Sequence, residues 1–349
     1  MKTVKRWKQF EYTKDPDAMV AQVLGAPYRE YRACWEKAAN CELVQDYPIH
    51  LDFELSAACN LQCPQCILQV DPGELEPSNP YHPDNRGKRI DFAKYKEIID
   101  DGIRRGLRSV TFGVNNESLL IPDIARYVAY ARSAGVLDVI LITNGTLLTG
   151  KLSAELIAAG LTKLYFSIDA ATESTYRIVR KGGDLQRVVS NIRSLLAMKR
   201  KLKSMLPVTR VSFVKSKINE RELDEFVRSW KDKVDFVSIQ AYINPAQGYP
   251  SRDAQQEMFY IESKDLKNPG PCPQPYQRLT IYHDGTVHPC CHWYGATLIV
   301  GNIFLESVYD IWNSMRMREI RRSVNSNDNK TPRECRICRE AVFGERYAR

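Results

Sequence analysis

Three cysteines fall within eight residues, Cys59-Asn-Leu-Gln-Cys63-Pro-Gln-Cys66, directly after the apolar, strand-like run His50–Leu55. Thiolates are soft ligands that hold iron–sulfur clusters, and a [4Fe–4S] cube normally takes four of them. Three ligands on one short loop can wrap three corners of a cube and leave one iron open to a small chelating molecule. The competing reading is a zinc knuckle, since closely spaced cysteines also suit tetrahedral zinc. A structural zinc site wants a fourth Cys or His nearby, and none follows Cys66 before His82. The spacing therefore favours a three-thiolate iron–sulfur site.

A chain of 349 residues with 44% hydrophobic content can bury a substantial core and has room for about two domains of roughly 150 residues each. The basic first ten residues lack an apolar stretch, and no run approaches the ~18 apolar residues of a membrane span. The expectation is a cytoplasmic protein with no membrane association. Ten cysteines, most of them grouped, argue for metal ligands in a reducing compartment rather than a disulfide framework. The net charge of +8 comes from Lys and Arg spread among acids, which reads as a solvated basic surface. There is no clustered basic and aromatic motif of the kind that binds nucleic acid.

Six strand-like runs alternate with amphipathic segments of helix length. The strands are His50–Leu55, Ser109–Val114, Asp138–Asn144, Lys163–Asp169, Val208–Lys215 and Asp235–Tyr242; the helices are Phe92–Arg105, Pro122–Ala134, Lys151–Ala159, Leu185–Lys201 and Glu220–Trp230. This alternation predicts an α/β fold with a parallel sheet and right-handed crossovers. Periodicity alone suits an open doubly wound sheet as well as a barrel. The Pro-, Asp- and Asn-rich segment 71–88 reads as a long loop near the cysteines that helps cover the site. Cys34 and Cys41, seven apart, read as packing residues on one helix.

The CxxxCxxC loop after the first strand, with the motifs that follow it, resembles the radical SAM superfamily. The resemblance implies a partial (β/α)6 barrel and a [4Fe–4S] cluster on Cys59, Cys63 and Cys66, with the open iron taking the amino and carboxylate groups of S-adenosylmethionine. Ligands in α/β folds bind at the C-terminal ends of the strands, where loops and helix N-termini converge, and the later motifs lie at such ends. Asn115-Asn116-Glu117-Ser118-Leu119-Leu120 is similar to the family's GGEPLL segment, with asparagines in place of both glycines. Asparagine tolerates positive φ better than most residues. The resemblance places Asn116 and Glu117 against the methionine part of the cofactor, Glu117 accepting from its ammonium group. Thr143-Asn144-Gly145 resembles the family's TNG turn. Ser167-Ile168-Asp169-Ala170, with Tyr176 to Gly182 after it, resembles the "SIDG…IR-G" region; this implies that Ser167 and Arg180 hold the cofactor carboxylate, with Asp169 beside them. Read locally, Asp169 or Thr172 is equally a helix N-cap. Gln65 stands where the family often has a bulky residue against the adenine.

A second set of cysteines comprises Cys272, Cys290, Cys291, Cys335 and Cys338. Four thiolates drawn from these groups suit a [4Fe–4S] cluster or a zinc ion. The run from Cys272 to Cys290 contains Asp284-Gly285, a hairpin turn between alternating apolar residues. Together with Gly301-Asn302, Ile311-Trp312-Asn313 and the final CxxC, it resembles a SPASM or twitch domain. A full SPASM domain holds two clusters on seven or more cysteines, so five here imply one auxiliary [4Fe–4S] cluster on Cys272, Cys290, Cys335 and Cys338. Cys291 is left over. It either donates a hydrogen atom to a substrate radical, as in radical SAM epimerases, or packs under the hairpin or replaces Cys290, and burial is the commoner fate of a free cysteine. The expected organisation is an N-terminal extension over 1–48, the barrel over 49–245, a linker over 246–271 and a small C-terminal β-hairpin and helix SPASM or twitch domain over 272–349.

The implied mechanism is reductive cleavage of S-adenosylmethionine to a 5′-deoxyadenosyl radical that abstracts hydrogen from an unactivated C–H bond, with electrons from a reductant such as flavodoxin or ferredoxin. Cofactor and cluster carry the chemistry; the protein positions and shields it. Asp52 and Glu54 alternate on the first strand and face one side, as candidate bases for a substrate hydroxyl or as polar filling of the barrel. The first 48 residues look too short for the leader-recognition domain of peptide-modifying relatives. The expected substrate is therefore a small polar molecule of sugar, aminocyclitol or nucleoside-sugar type, converted by dehydrogenation, epimerisation or decarboxylation. The alternatives are a peptide maturase with a separately encoded recognition protein, and a non-catalytic iron–sulfur or zinc scaffold.

Overall fold

The structure, a computed structural model, describes residues 2–5, 8–12, 15–242, 271–291, 297–326 and 330–343. The chain opens with β1 (Lys2–Lys5), β2 (Lys8–Tyr12), α1 (Pro16–Leu24) and α2 (Ala26–Ala39). An alternating section follows: β3 (His50–Glu54), α3 (Phe92–Arg105), β4 (Ser109–Phe112), α4 (Ile124–Ala134), β5 (Asp138–Thr143), α5 (Gly150–Ala158), β6 (Lys163–Ser167), α6 (Glu173–Val179), α7 (Leu185–Lys201), β7 (Val208–Lys215), α8 (Leu223–Trp230) and β8 (Phe236–Ala241). The C-terminal part holds α9 (Gln274–Gln277), β9 (Arg278–Tyr282), β10 (Thr286–His288), β11 (Gly301–Asn302), α10 (Val308–Asn313), α11 (Met315–Ser323) and α12 (Arg333–Phe343).

One sheet of eleven strands runs β1-β2-β8-β7-β6-β5-β4-β3-β9-β10-β11. Strands β3 to β8 are parallel and lie side by side in chain order. A doubly wound sheet would reverse its order at a switch point; here the order never reverses, and the six strands form the partial (β/α)6 barrel. All six expected strands are present within two residues of their predicted ends. The helices over 92–105 and 185–201 form as predicted because Asp91 and Asp184 cap their first turns. The predicted helix 220–230 begins as a 3₁₀ turn, Glu220–Glu222, before α8. Helix α6 is absent from the predicted helices, since seven residues show too little of a period, although Thr172 reads locally as the N-cap it proves to be.

Alternation along the strands separates two environments. Leu51 and Phe53 of β3 are buried towards the helices, Phe53 meeting Tyr95 of α3 with ring centroids 5.1 Å apart, and Phe213 of β7 meets Phe226 of α8. The opposite face of each strand lines the barrel lumen, and on it stand His50, Asp52 and Glu54 of β3, Arg210 and Ser212 of β7, Ser238 of β8, and Arg278, Thr280 and Tyr282 of β9.

Helices α1 and α2 close the end of the barrel where the strands begin. Met19, Val20, Tyr28 and Tyr31 share an apolar cluster with Ile49, Val208 and Phe236. Below β6, Lys163 is buried and its Nζ lies 2.6 Å from Asp138, 3.0 Å from Asp17 and 2.8 Å from the Tyr28 hydroxyl. The N-terminal extension thus floors the barrel, at the end opposite the cysteine loop. Cys34 lies on α2, but Cys41 does not share that helix: α2 ends at Ala39, and Cys41 follows with φ +62°. This corrects the one-helix reading of the pair.

β9 joins β3 in parallel, and β9 and β10 form an antiparallel hairpin over the Asp284-Gly285 turn. Gly285 has φ +88°, and a Cβ there would lie 2.4 Å from the Phe304 ring, so only glycine fits. The expected linker 246–271 lies outside the described residues except for Pro271. No helix among the described residues is long and apolar enough to cross a membrane.

Candidate active site

The loop that leaves β3 carries Cys63 buried and Cys59 and Cys66 half-buried. Burial pushes all three thiols up, Cys66 to about 12, and each feels the charge of a neighbouring cysteine or of Arg180. Three such sulfurs can be ionised together only against a compensating cationic centre. Among the described residues, no group of three His, Cys, Asp or Glu is placed to hold a single metal ion. Three soft donors on one loop, too costly to ionise unaided, are a donor set that fits an iron–sulfur cube.

Every motif at the strand ends is tied to this loop. Glu117 N donates to Ala58 O at 2.9 Å, and Asn116 Nδ2 to Ser56 O at 2.6 Å. Asn144 Nδ2 donates to Asn60 Oδ1 at 2.9 Å, while Asn60 Nδ2 donates to Thr146 Oγ1 at 2.8 Å. Gln62 N donates to Lys181 O at 2.8 Å, and Gln65 Nε2 to Val179 O at 2.8 Å. Gln65 thus braces the loop against α6.

The side chains also arrange one another. Glu117 is buried and accepts from Thr143 Oγ1, Leu119 N and Asn144 N; burial raises its carboxyl. Asn115 and Asn116 are absent from the positive-φ positions, where Gly113 carries φ +77° instead. A Cβ on Gly113 would lie 2.0 Å from Ser118 Oγ, so the glycine requirement sits two residues before the asparagines. Asn116 Oδ1 is buried with no hydrogen-bond partner among the described residues. Asp169 has φ +64°, accepts from Val214 N and pairs with Arg180, whose Nη1 reaches to 3.9 Å from Cys63 Sγ. Burial would lower Arg180, but Asp169 and Cys63 outweigh it and hold the guanidinium charged. The α6 N-cap is Thr172, not Asp169. Ser167 ends β6, half-buried on the lumen side.

Below the loop, Asp52 and Glu54 differ sharply. Asp52 accepts from His50 at 2.9 Å, from Arg278 at 3.2 Å and from Thr280 at 3.2 Å. Burial pushes its carboxyl up, but Arg278 and His50 prevail and hold it at about 2. No cation among the described residues lies beside Glu54: burial raises it to about 8, against two backbone donors, Val114 N at 2.8 Å and Asn115 N at 3.0 Å, which both bond Oε1. Its Oε2 is buried without a partner among the described residues. The charge of Asp52 adds to the rise, and Tyr282 and Tyr81 also lie close to Glu54. Tyr81 belongs to the loop over 71–88, which packs Leu75 and Tyr81 onto Ile67, Val70, Cys66 and Tyr282.

Of the C-terminal cysteines, Cys272 precedes α9 and its N–H donates to Asn325 Oδ1 at 2.6 Å. Cys290 and Cys291 follow β10, and Cys335 and Cys338 stand one turn apart on α12. Cys41 Sγ lies 3.5 Å from the Cys272 carbonyl, a proximity that nothing in the local sequence signals. Cys291 Sγ lies 3.8 Å from Arg278 Nη1 and 4.0 Å from Gln274 Oε1. Sequence reasoning also missed Arg278, the partner of Asp52, and the lumen residues Arg210, Ser212 and Ser238, because a lone Arg or Ser on a strand carries no motif.

The family model described as the radical SAM superfamily matches residues 53–229, and the one described as an iron-sulfur cluster-binding domain, SPASM, matches 272–339. Among curated proteins, mycofactocin maturase of Mycobacterium tuberculosis is 29% identical over 184 residues, covering 52% of this chain and 41% of that protein. GTP 3′,8-cyclase of Clostridium botulinum is 23% identical over 280 residues, covering 70% of this chain and 81% of that protein. The chain therefore spans about two-fifths of the length of the first of these relatives. Similar folds occur in anSMEcpe with bound AdoMet, with a TM-score of 0.58 and 16% identity over 85% of this chain and 88% of that one. Streptococcus suis SuiB bound to S-adenosylmethionine has a TM-score of 0.57 and 15% identity over 87% of this chain and 73% of that one.

Proposed function

Because the chain belongs to the radical SAM superfamily and carries a SPASM domain, we propose that this radical SAM enzyme acts on a small polar substrate held in the barrel lumen, by dehydrogenation, epimerisation or decarboxylation. Its cofactors are a [4Fe–4S] cluster, S-adenosylmethionine and auxiliary iron–sulfur chemistry. When bound and reduced, these supply a 5′-deoxyadenosyl radical able to take hydrogen from an unactivated C–H bond.

Cys59, Cys63 and Cys66 would hold the first cluster. Asn116, Glu117, Asn144, Ser167, Asp169 and Arg180 would orient the cofactor's amino and carboxylate groups, since all of them stand on segments hydrogen-bonded to the cluster loop or to each other. Cys272, Cys290, Cys335 and Cys338 would hold one auxiliary [4Fe–4S] cluster.

The observation that carries the small-substrate reading is Glu54. A carboxyl on the lumen face with one oxygen pinned and the other without a partner among the described residues can take a proton from a hydroxyl on the carbon that loses hydrogen. Asp52, tied to Arg278 and His50, acts as a positioning residue. Turnover should rise with pH through about 8, because the ionised form of Glu54 is the base. Glu54→Gln should lower kcat by roughly a hundredfold or more and remove that limb. Full turnover with an unchanged limb would eliminate Glu54 as the base.

Helices α1 and α2 are committed to the barrel floor, which also favours a substrate without a leader segment bound there. The name of the curated maturase relative favours the second reading, a peptide substrate presented by a separate recognition protein; that of the GTP cyclase favours a small polar one. Stimulation of 5′-deoxyadenosine formation by small-metabolite fractions supports the first reading, and stimulation by peptide fractions alone supports the second. For Cys291, close to Arg278, the outcome depends on the reaction. In an epimerisation, solvent deuterium enters the product and Cys291→Ala stops that entry; in a dehydrogenation, Cys291→Ala turns over and no label enters.

A further inference from the structure

The lumen wall formed by β7 and β8 presents three polar groups that have no hydrogen-bond partner among the described residues. Lys163, Arg180 and Arg278 are each paired with an aspartate. Arg210 has no such pair among the described residues, and its Nε is buried without a hydrogen-bond partner. Its guanidinium lies 3.8 Å from the centre of the Tyr165 ring, a stack that fixes the plane of the group. Two residues along β7, on the same face, Ser212 stands opposite Ser238 of β8. These serines are 3% and 0% exposed, and neither hydroxyl has a partner among the described residues. Arg210 as a whole is half-buried, whereas its Nε and the two serine hydroxyls are fully enclosed, and buried polar groups are ordinarily satisfied.

We propose that Arg210, Ser212 and Ser238 form an anion subsite of the lumen, which holds a carboxylate or phosphate group of the substrate. The inference deepens the reading of the lumen as the substrate site and rests on it. The edge of a guanidinium that includes Nε–H is the side that can grip two oxygens of a carboxylate or phosphate at once. Two serine hydroxyls on the adjoining wall add donors for the remaining lone pairs. Burial pulls Arg210 down to about 10, still cationic near neutrality. Strands β4, β5 and β6 intervene between β3 and β7, so the anion and Glu54 stand on different walls. A substrate anchored by its charged end on β7 and β8 would present its reacting carbon between that anchor and the base.

The test is calorimetric titration of anaerobically reconstituted enzyme, loaded with S-adenosylmethionine, with inorganic phosphate and separately with acetate. Saturable binding of one anion is expected, weakened about tenfold or more in Arg210→Gln and partly restored in Arg210→Lys, which keeps the charge without the fork. Preference for phosphate marks a phosphorylated substrate, and preference for acetate a carboxylated one. The Ser212→Ala/Ser238→Ala double variant removes only two oxygens and carries the same expectation should Arg210→Gln fail to fold. Absence of saturable binding by the wild-type enzyme, or equal affinity in all variants, overturns the subsite. The underlying reading fails separately, if only peptide fractions stimulate cofactor cleavage by the wild-type enzyme.

Discussion

Replacing Cys59, Cys63 and Cys66 together by Ala is expected to remove about half the iron from anaerobically reconstituted protein and to abolish all cleavage of S-adenosylmethionine. On the proposed assignment, one cluster on the β3 loop and one on the C-terminal cysteines would contribute equal iron, and only the first would touch the cofactor. The loop should survive the loss of its thiols. Its hydrogen bonds to the rest of the barrel, Glu117 N to Ala58 O and Gln62 N to Lys181 O, run through backbone, and Asn116, Asn144 and Gln65 bond it through their own amides. The variant should therefore keep its secondary structure by circular dichroism, which separates lost chemistry from lost folding. Retained 5′-deoxyadenosine formation would refute the assignment of the three thiolates. Loss of nearly all the iron would instead refute the division into two independent clusters.

The largest expected effect on stability comes from Lys163→Met. Lys163 Nζ is buried between Asp138 at 2.6 Å and Asp17 at 3.0 Å, and those carboxylates hold its ammonium well above the usual lysine range despite burial. Methionine fills similar space but leaves Asp138, 0% exposed, without the ammonium that pairs with it directly. Removing one partner of a buried ion pair costs about 3–5 kcal/mol. At roughly 2–4 °C per kcal/mol, the melting temperature should fall by on the order of 10 °C. Because Asp17 and Tyr28 belong to α1 and α2, the floor should loosen first, seen as faster proteolysis within residues 15–39. A melting temperature within 1 °C of wild type would show that the pair contributes nothing net. The double variant Lys163→Met/Asp138→Leu, which removes the stranded charge, should recover part of the loss.

Much of this architecture was legible before any coordinates. The six strand-like runs and the amphipathic periods of α3 and α7 are readable in the sequence, and the structure adds the Asp91 and Asp184 caps that start those two helices. The cofactor motifs were legible only as an ordered set, since Asn144-Gly145 or Ser167-Ile168-Asp169 alone fits an ordinary turn or cap. What brings them together is the set of hydrogen bonds from Ala58, Asn60 and Gln62 to the ends of β4, β5 and α6. Asp52 and Glu54 looked alike in sequence, and it is the arrival of Arg278 beside one of them that separates a carboxyl held at about 2 from one raised to about 8.

Short-range features are readable in the chain alone: the three-cysteine loop, whose thiols lie within eight residues, and the alternation of strands and helices, which follows from the period of apolar side chains. Long-range features wait on the folded arrangement. The same periods serve an open sheet or a barrel, and the unreversed order β3 to β8 chose the barrel. The N-terminal helices became its floor because their apolar faces met Ile49, Val208 and Phe236. The lumen acquired its chemistry from pairings such as Asp52 with Arg278, 226 residues apart. Burial, charge compensation and the absence of a partner are properties of an assembled neighbourhood, and no local stretch of chain carries them.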